Sequence, residues 1–371
     1  MTVVALVRRA AAAPPDVPGR VTKAFTRALT LNLFAAAMLV TAYIIFLALH
    51  PQPDRLYDFR TFWNAGRDII AGDPGAFIYP PPIALAMVPL ALLPFTIGAA
   101  IYVAILLLSI ALTLLVLDVR DPRCYAVFLL SWPTVTSLGN GAISTLLALG
   151  LALTWRYRDR RWTATAVVAA TIVAKLFLWP LWFWLMATRR YATAVTVAVA
   201  GAVGALGGWA VIGFAGLRDY PDLLNRLAAL VQEEGYSPIA LGLALGLPID
   251  LARAAASALG AGLLVAMFVL ARRPDGDRRS FVVAIVAAFV FSPIVWLHYL
   301  TLLVVPVAMV AKRLSILWFV PIAYLTSGVN SEGNASTIAV VWLITAALVL
   351  ATLRPRVSAL GSSTARSAVA A

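Results

Sequence analysis

Residues Leu29–Leu49, LTLNLFAAAMLVTAYIIFLAL, hold no charge, and shortly after them the chain reads Tyr57-Asp58-Phe59-Arg60. An uncharged run of that length matches a hydrocarbon core, which takes about 20 helical residues to cross. Apolar runs separated by short basic loops continue as far as Leu353. The chain is 62% hydrophobic and only 12% charged. A soluble domain of this size with so few charges would expose one large apolar patch. The reading is an all-α polytopic membrane protein. Against that background, a carboxylate set among aromatics directly after the first span is costly unless it is used.

The net charge of +13 is first a matter of topology, because cytoplasmic loops collect Lys and Arg. Basic clusters lie at Arg8/Arg9/Arg20/Lys23/Arg27, Arg120/Arg123, Arg156–Arg161, Arg189/Arg190, Arg272–Arg279, Lys312/Arg313 and Arg354/Arg356. Placing all of them inside demands an even number of crossings between neighbours. Four hairpins then follow, with tips at Gly139-Asn140-Gly141, Lys175, His298 and Asn330-Ser331-Glu332. With four single spans they make a bundle of about twelve crossings, both termini inside. Only seven of the 29 bases but ten of the 16 acids fall outside. The basic excess therefore orients the chain in a bilayer and calls for no nucleic acid.

Residues 1–26 read as a disordered cytoplasmic leader, 27–353 as one transmembrane domain, and 354–371 as a disordered cytoplasmic tail. The arms beside Lys175 are too short to cross a flat slab. Their tips must sit below the outer surface, lining a wet or protein-filled hollow. Outer loops 50–94 and 215–250 flank that hollow. The first is expected as one or two interfacial helices with Trp63 in the headgroup region. In the second, Tyr220-Pro221-Asp222 starts an amphipathic helix.

Few residues could do chemistry. Asp58 is an acceptor that can take a proton from a hydroxyl; the plain alternative is an ion pair with Arg55 or Arg60. Lys175, inside an apolar run, calls for an anionic headgroup or phosphate; the alternative is snorkelling. His298 follows Ser292-Pro293 and Trp296, and a lone membrane histidine also serves as a bridge between helices. His50 reads as interfacial. Arg60 and Arg67 are further candidates for holding a phosphate. One cysteine, Cys124, and two histidines offer no metal-ligand set. No glycine-rich phosphate loop and no Ser/His/Asp arrangement is present, and the reading calls for no cofactor.

The ordered set Asp58-Phe59, Trp63-Asn64-Ala65, Tyr79-Pro80-Pro81, Gly139-Asn140, Lys175 and Ser292-Pro293 through His298-Tyr299 resembles glycosyltransferase family 87 over roughly residues 30–352. The resemblance implies a GT-C membrane fold with short outer-face interfacial helices. It also implies kinship with actinobacterial enzymes that transfer mannose from polyprenyl-phosphate-mannose. On that pattern Asp58 is the catalytic base, and His298 and Lys175 lie near the donor phosphate. Tyr57, Trp63, Asn64, Tyr79, Asn140, Trp296 and Tyr299 become substrate contacts. The partners implied are a polyprenyl-phosphate-sugar donor, a glycolipid or glycan acceptor and the lipid bilayer of a bacterial plasma membrane, with the active site facing the exterior. The family's usual Gln at the first hairpin tip is Asn140 here. A transporter or flippase, and a polymerase or ligase of lipid-linked glycans, are the competing readings.

Overall fold

Backbone polar groups in a bilayer have no water to bond, so apolar runs satisfy them internally as helices. The computed structural model describes residues 17–50, 52, 55–73 and 79–354, with the backbone alone for 17–25. Within them the helices are α1 (Val17–Leu49), α2 (Tyr57–Ala71), α3 (Pro81–Ala91), α4 (Phe95–Val116), α5 (Pro122–Leu130), α6 (Trp132–Asn140), α7 (Ser144–Tyr157) and α8 (Arg161–Ala174). There follow α9 (Pro180–Ala187), α10 (Tyr191–Val211), α11 (Tyr220–Val231), α12 (Pro238–Ala244), α13 (Ile249–Ala271), α14 (Gly276–Phe291), α15 (Val304–Val310), α16 (Ile316–Phe319) and α17 (Ala335–Leu353). Tighter 3-10 turns lie at Leu176–Leu178, Leu297–Leu303 and Val320–Ser327. No strand occurs among the described residues.

Among the described residues, five stretches are long and apolar enough to cross a membrane: Thr26–Leu49 within α1, and α4, α10, α13 and α17. The remaining apolar helices are short and are joined at polar breaks. Gly141, in the left-handed region at φ 65°, ends α6. Lys175 leaves α8 in an extended conformation, and Pro180 opens α9. Ser292 ends α14, and the chain stays irregular until Leu297. The first two breaks fall at the expected tips Gly139-Asn140-Gly141 and Lys175, and the third lies just before the expected tip residue His298, which sits in the 3-10 turn Leu297–Leu303. The first helix differs from expectation: its backbone is helical from Val17, through residues 17–26 of the expected leader. Residues 1–16 and the tail 355–371 lie outside the described residues.

The loops sort into two ends of the bundle. At one end Arg190 binds both Asp159 (2.7 Å) and Asp277 (2.6 Å), and Arg158 reaches the same Asp277 at 3.3 Å. Arg156 faces Asp118 at 3.6 Å, Lys312 donates to the Leu117 carbonyl, and Arg278 caps the carbonyls of Thr352 and Arg354. Arg123 and the backbone N–H of Leu314 both bond Asp121. These contacts join six basic loops. At the other end the Leu56 N–H donates to the Gly139 carbonyl at 3.1 Å, and the Tyr236 hydroxyl donates to the Ser327 carbonyl at 2.6 Å. Ser331 there bonds the Glu233 and Gly235 carbonyls.

The contact between α2 and the first hairpin tip is tight. A Cβ on Gly141 would stand 2.7 Å from the Phe59 Cβ, and its positive φ already disfavours any side chain by about 1–2 kcal/mol. Gly141→Ala is therefore expected to lower the Tm of the purified protein. Gly139→Ala, whose added methyl meets nothing within 4 Å, should leave it unchanged. Equal Tm values for the two variants would contradict this seating of α2.

Candidate active site

Helix α2 is amphipathic, and its apolar face fixes the carboxylate. Phe59 and Phe62 are fully buried. Phe59 stacks on Tyr102 at 4.7 Å and tilts against Phe95 at 5.4 Å, while Phe62 meets the Tyr79 ring edge-on at 4.9 Å. Leu56, in the left-handed region at φ 52°, starts the helix, and its carbonyl accepts from the Arg60 N–H. Anchored on both sides, Asp58 points at the third hairpin break. Its Oδ2 is 3.8 Å from His298 Nε2. That is an electrostatic approach rather than a hydrogen bond. The His298 Nε2 is buried with no hydrogen-bond partner among the described residues.

Lys175 arrives from the second hairpin. It is 8% exposed, and its Nζ donates to the Tyr79 hydroxyl at 3.2 Å. The ammonium also sits 4.0 Å from the centre of the Tyr299 ring, which stacks on Phe177 at 5.1 Å. Two aromatic faces thus hold the charge by cation–π attraction. A snorkelling lysine would send its nitrogen outward; this one is enclosed. Lys175 has no salt bridge among the described residues, although it lies within electrostatic reach of Asp58. A buried cation with no bonded carboxylate is poised for an anion.

Burial pushes the Asp58 carboxyl up to about 6, against the lowering pull of Lys175. A fifth of its side chain remains accessible, 19%. A carboxylate of that affinity, open on one side, is suited to accept a proton near neutral pH. Tyr102 joins this centre unannounced by the sequence. Its hydroxyl is buried without a hydrogen-bond partner among the described residues, and it feels the Asp58 charge. No local motif marks it; it is one aromatic in an apolar span.

Arg60 and Arg67 do not join the cluster. At 100° per residue, two steps along a helix turn the side chain by about 200°. Arg60 accordingly lies over the Phe95 ring at 4.4 Å and donates to the Gln52 carbonyl at 3.2 Å, and Arg67 lies over Trp63 at 5.5 Å. Both arginines thus lie off the face that carries Asp58, and no ion pair joins Asp58 to Arg60 among the described residues. Trp63 is half-buried, with its ring edge on Phe95 at 5.5 Å. Tyr57 is exposed, and Asn140 is half-buried at the tip that seats α2. Trp296 is half-buried two residues before His298, and Tyr299 touches both His298 and Lys175. Among the described residues no group of three or more His, Cys, Asp and Glu could hold a metal ion.

Beside the cluster lies a cavity of about 490 Å³, between α2, the start of α3, the end of α10 and the start of α11. Thr61, Asn64, Ala65 and Asp68 line it from α2, Trp209 from α10, and Asp219, Tyr220 and Asp222 from the outset of α11. Tyr79 belongs to both the cavity and the Lys175 contact.

The family model of glycosyltransferase family 87 matches residues 77–306, well over half of the chain. The match takes in Tyr79, Asn140, Lys175, Trp296, His298 and Tyr299, and begins after the helix that carries Asp58. No curated protein and no solved structure matches. With a helical membrane bundle around a half-buried carboxylate and a buried lysine and histidine, the chain belongs to glycosyltransferase family 87 and is a membrane glycosyltransferase.

Proposed function

We propose that the protein transfers a sugar, mannose by the family resemblance, from a polyprenyl-phosphate donor to a hydroxyl of a glycolipid or glycan acceptor. The observation that carries this reading is the convergence of Asp58, Lys175 and His298 from three separate hairpins and loops. Asp58 removes the proton as the acceptor oxygen bonds to the anomeric carbon. The bond from that carbon to the phosphate oxygen breaks, and its electron pair leaves with polyprenyl phosphate. One displacement inverts the anomeric centre. The leaving phosphate needs charge more than a proton, so a single carboxylate suffices, unlike the pair used by hydrolases. Lys175 supplies that charge, and His298, within 4 Å of Asp58, orients the carboxylate or the acceptor oxygen. Short interfacial helices over a multispan bundle suit a GT-C architecture, and the apolar bundle gives a prenyl chain a path from the bilayer.

The decisive assay uses membranes holding the full chain and radiolabelled polyprenyl-phosphate-mannose. Label should pass to a lipid-extractable acceptor in wild type and stay on the donor when Asp58 is replaced. Label retained on the donor in wild type as well would defeat the donor assignment.

The same reading puts the end carrying Asp58 at the exterior of a bacterial plasma membrane and the basic end in the cytoplasm, with twelve crossings. Single cysteines in a Cys124→Ala background test it. A cysteine at residue 68 should react with an impermeant maleimide in whole cells, and one at 158 should not. External labelling at 158 would refute the orientation.

A further inference from the structure

We infer that the cavity between α2 and α11 holds a neutral sugar ring of the acceptor, an inference that rests on the transfer reading above. Continuity with the chemistry comes first. Taking Asp58 as the origin, Thr61, Ala65, Asp68 and Ile69 fall on one arc of α2 by helical spacing, and all four line the cavity. An acceptor seated there would run along the helix toward the carboxylate. Tyr79 ties the other wall to Lys175 at 3.2 Å.

Charge selects the occupant. Three carboxylates, of Asp68, Asp219 and Asp222, and one guanidinium, of Arg226, belong to residues that line the cavity. None of these four makes an ion pair among the described residues. A donor phosphate would be repelled from three carboxylates and drawn instead to Lys175. Carboxylate oxygens are acceptors only, so a hydroxyl-rich neutral ring satisfies them. Trp209 and Tyr220 meet edge to face at 5.4 Å and offer the apolar surface that a pyranose ring presents on its C–H side. The volume falls within the ~300–1,000 Å³ typical of small-molecule sites. The wall is also stiff: a Cβ on Gly208 would come within 2.5 Å of the Pro82 ring, so the end of α10 is pressed against the start of α3.

The test is binding, independent of turnover. The full chain in nanodiscs is titrated calorimetrically with octyl α-D-mannopyranoside, with octyl glucoside, and separately with decaprenyl phosphate. In the Asp219→Asn/Asp222→Asn double variant and in Trp209→Leu, affinity for the octyl hexoside bound by wild type should fall about tenfold or more, through lost charge-assisted contacts and stacking. Decaprenyl phosphate affinity should hold, which also reports folding. Should Trp209→Leu fail to fold, the double variant decides alone, since both aspartates are exposed. Unchanged hexoside affinity in the double variant would overturn the inference. So would loss of decaprenyl phosphate binding with hexoside binding kept, or a wild type that binds neither hexoside. Transfer that survives Asp58→Asn would instead defeat the catalytic reading and leave these titrations to stand by themselves.

Discussion

Asp58→Asn is expected to leave the protein folded and able to bind its lipid donor, while transfer falls by about 10²–10⁴-fold. The substitution keeps shape and removes the proton acceptor, so the loss should appear in kcat. A pH profile separates a base from a mere contact. With the carboxyl at about 6, wild-type kcat/KM should rise with pH through that region as Asp58 ionises, and the residual activity of the Asn variant should lack the acid limb. The stability sign is opposite. The folded value lies above the ordinary 3.8, so the folded state binds more protons, and stability falls as pH climbs from 3.8 through about 6. Above that the ionised group costs at most about 3 kcal/mol. Asp58→Asn should therefore match or exceed wild type in Tm at pH 7.5. Asp58→Glu should rescue transfer poorly, because one methylene displaces the carboxylate by about an ångström. Asp73→Asn, exposed beyond the end of α2, is the control. Near-full transfer in Asp58→Asn would remove the base from the mechanism.

Lys175→Ala should weaken donor use by about 10–150-fold, the equivalent of about 1.5–3 kcal/mol for one charge-assisted contact to a phosphate. The effect should fall on binding of decaprenyl phosphate and on donor KM. Lys175→Arg should not restore it. The ammonium is fitted between the Tyr79 and Tyr299 rings, and a planar fork has neither the length nor the shape for that slot. Unchanged decaprenyl phosphate affinity in the Ala variant would reduce the lysine to a packing group.

The sequence made some of this readable and hid the rest for physical reasons. Breaks in the apolar runs were legible because a polar or helix-breaking residue there has few places to go: Gly141 and Lys175 each end a helix, and the third break, at Ser292, comes six residues before the expected tip residue His298. The grouping of Asp58, Lys175 and His298 was expected from the family pattern, and the 3.8 Å approach of Asp58 to His298 is its structural counterpart. The direction of Arg60 and Arg67 was not legible, because the outer segment carries no sign of its helical phase in the sequence. Once α2 is known to begin at Tyr57, helical spacing alone turns both arginines away. The cavity was beyond reach: Trp209 and Asp222 meet Asp68 only because the end of α10 rests on Pro82, a contact between distant residues. Tyr102 was hidden for the same reason.

The three hairpins and loops that bring in Asp58, Lys175 and His298 also set an order of birth. A ribosome delivers residue 58 to the membrane well before residue 298, an interval of roughly 10–50 s at ordinary elongation rates. During that interval the early carboxylate and the later lysine have no imidazole beside them, and Tyr299, whose ring lies over the lysine, is missing as well. On the proposed transfer reading, an unfinished chain carries no complete Asp58–Lys175–His298 centre. On that reading the centre is completed only with the last third of the polypeptide, so that synthesis itself serves as the timer that arms it.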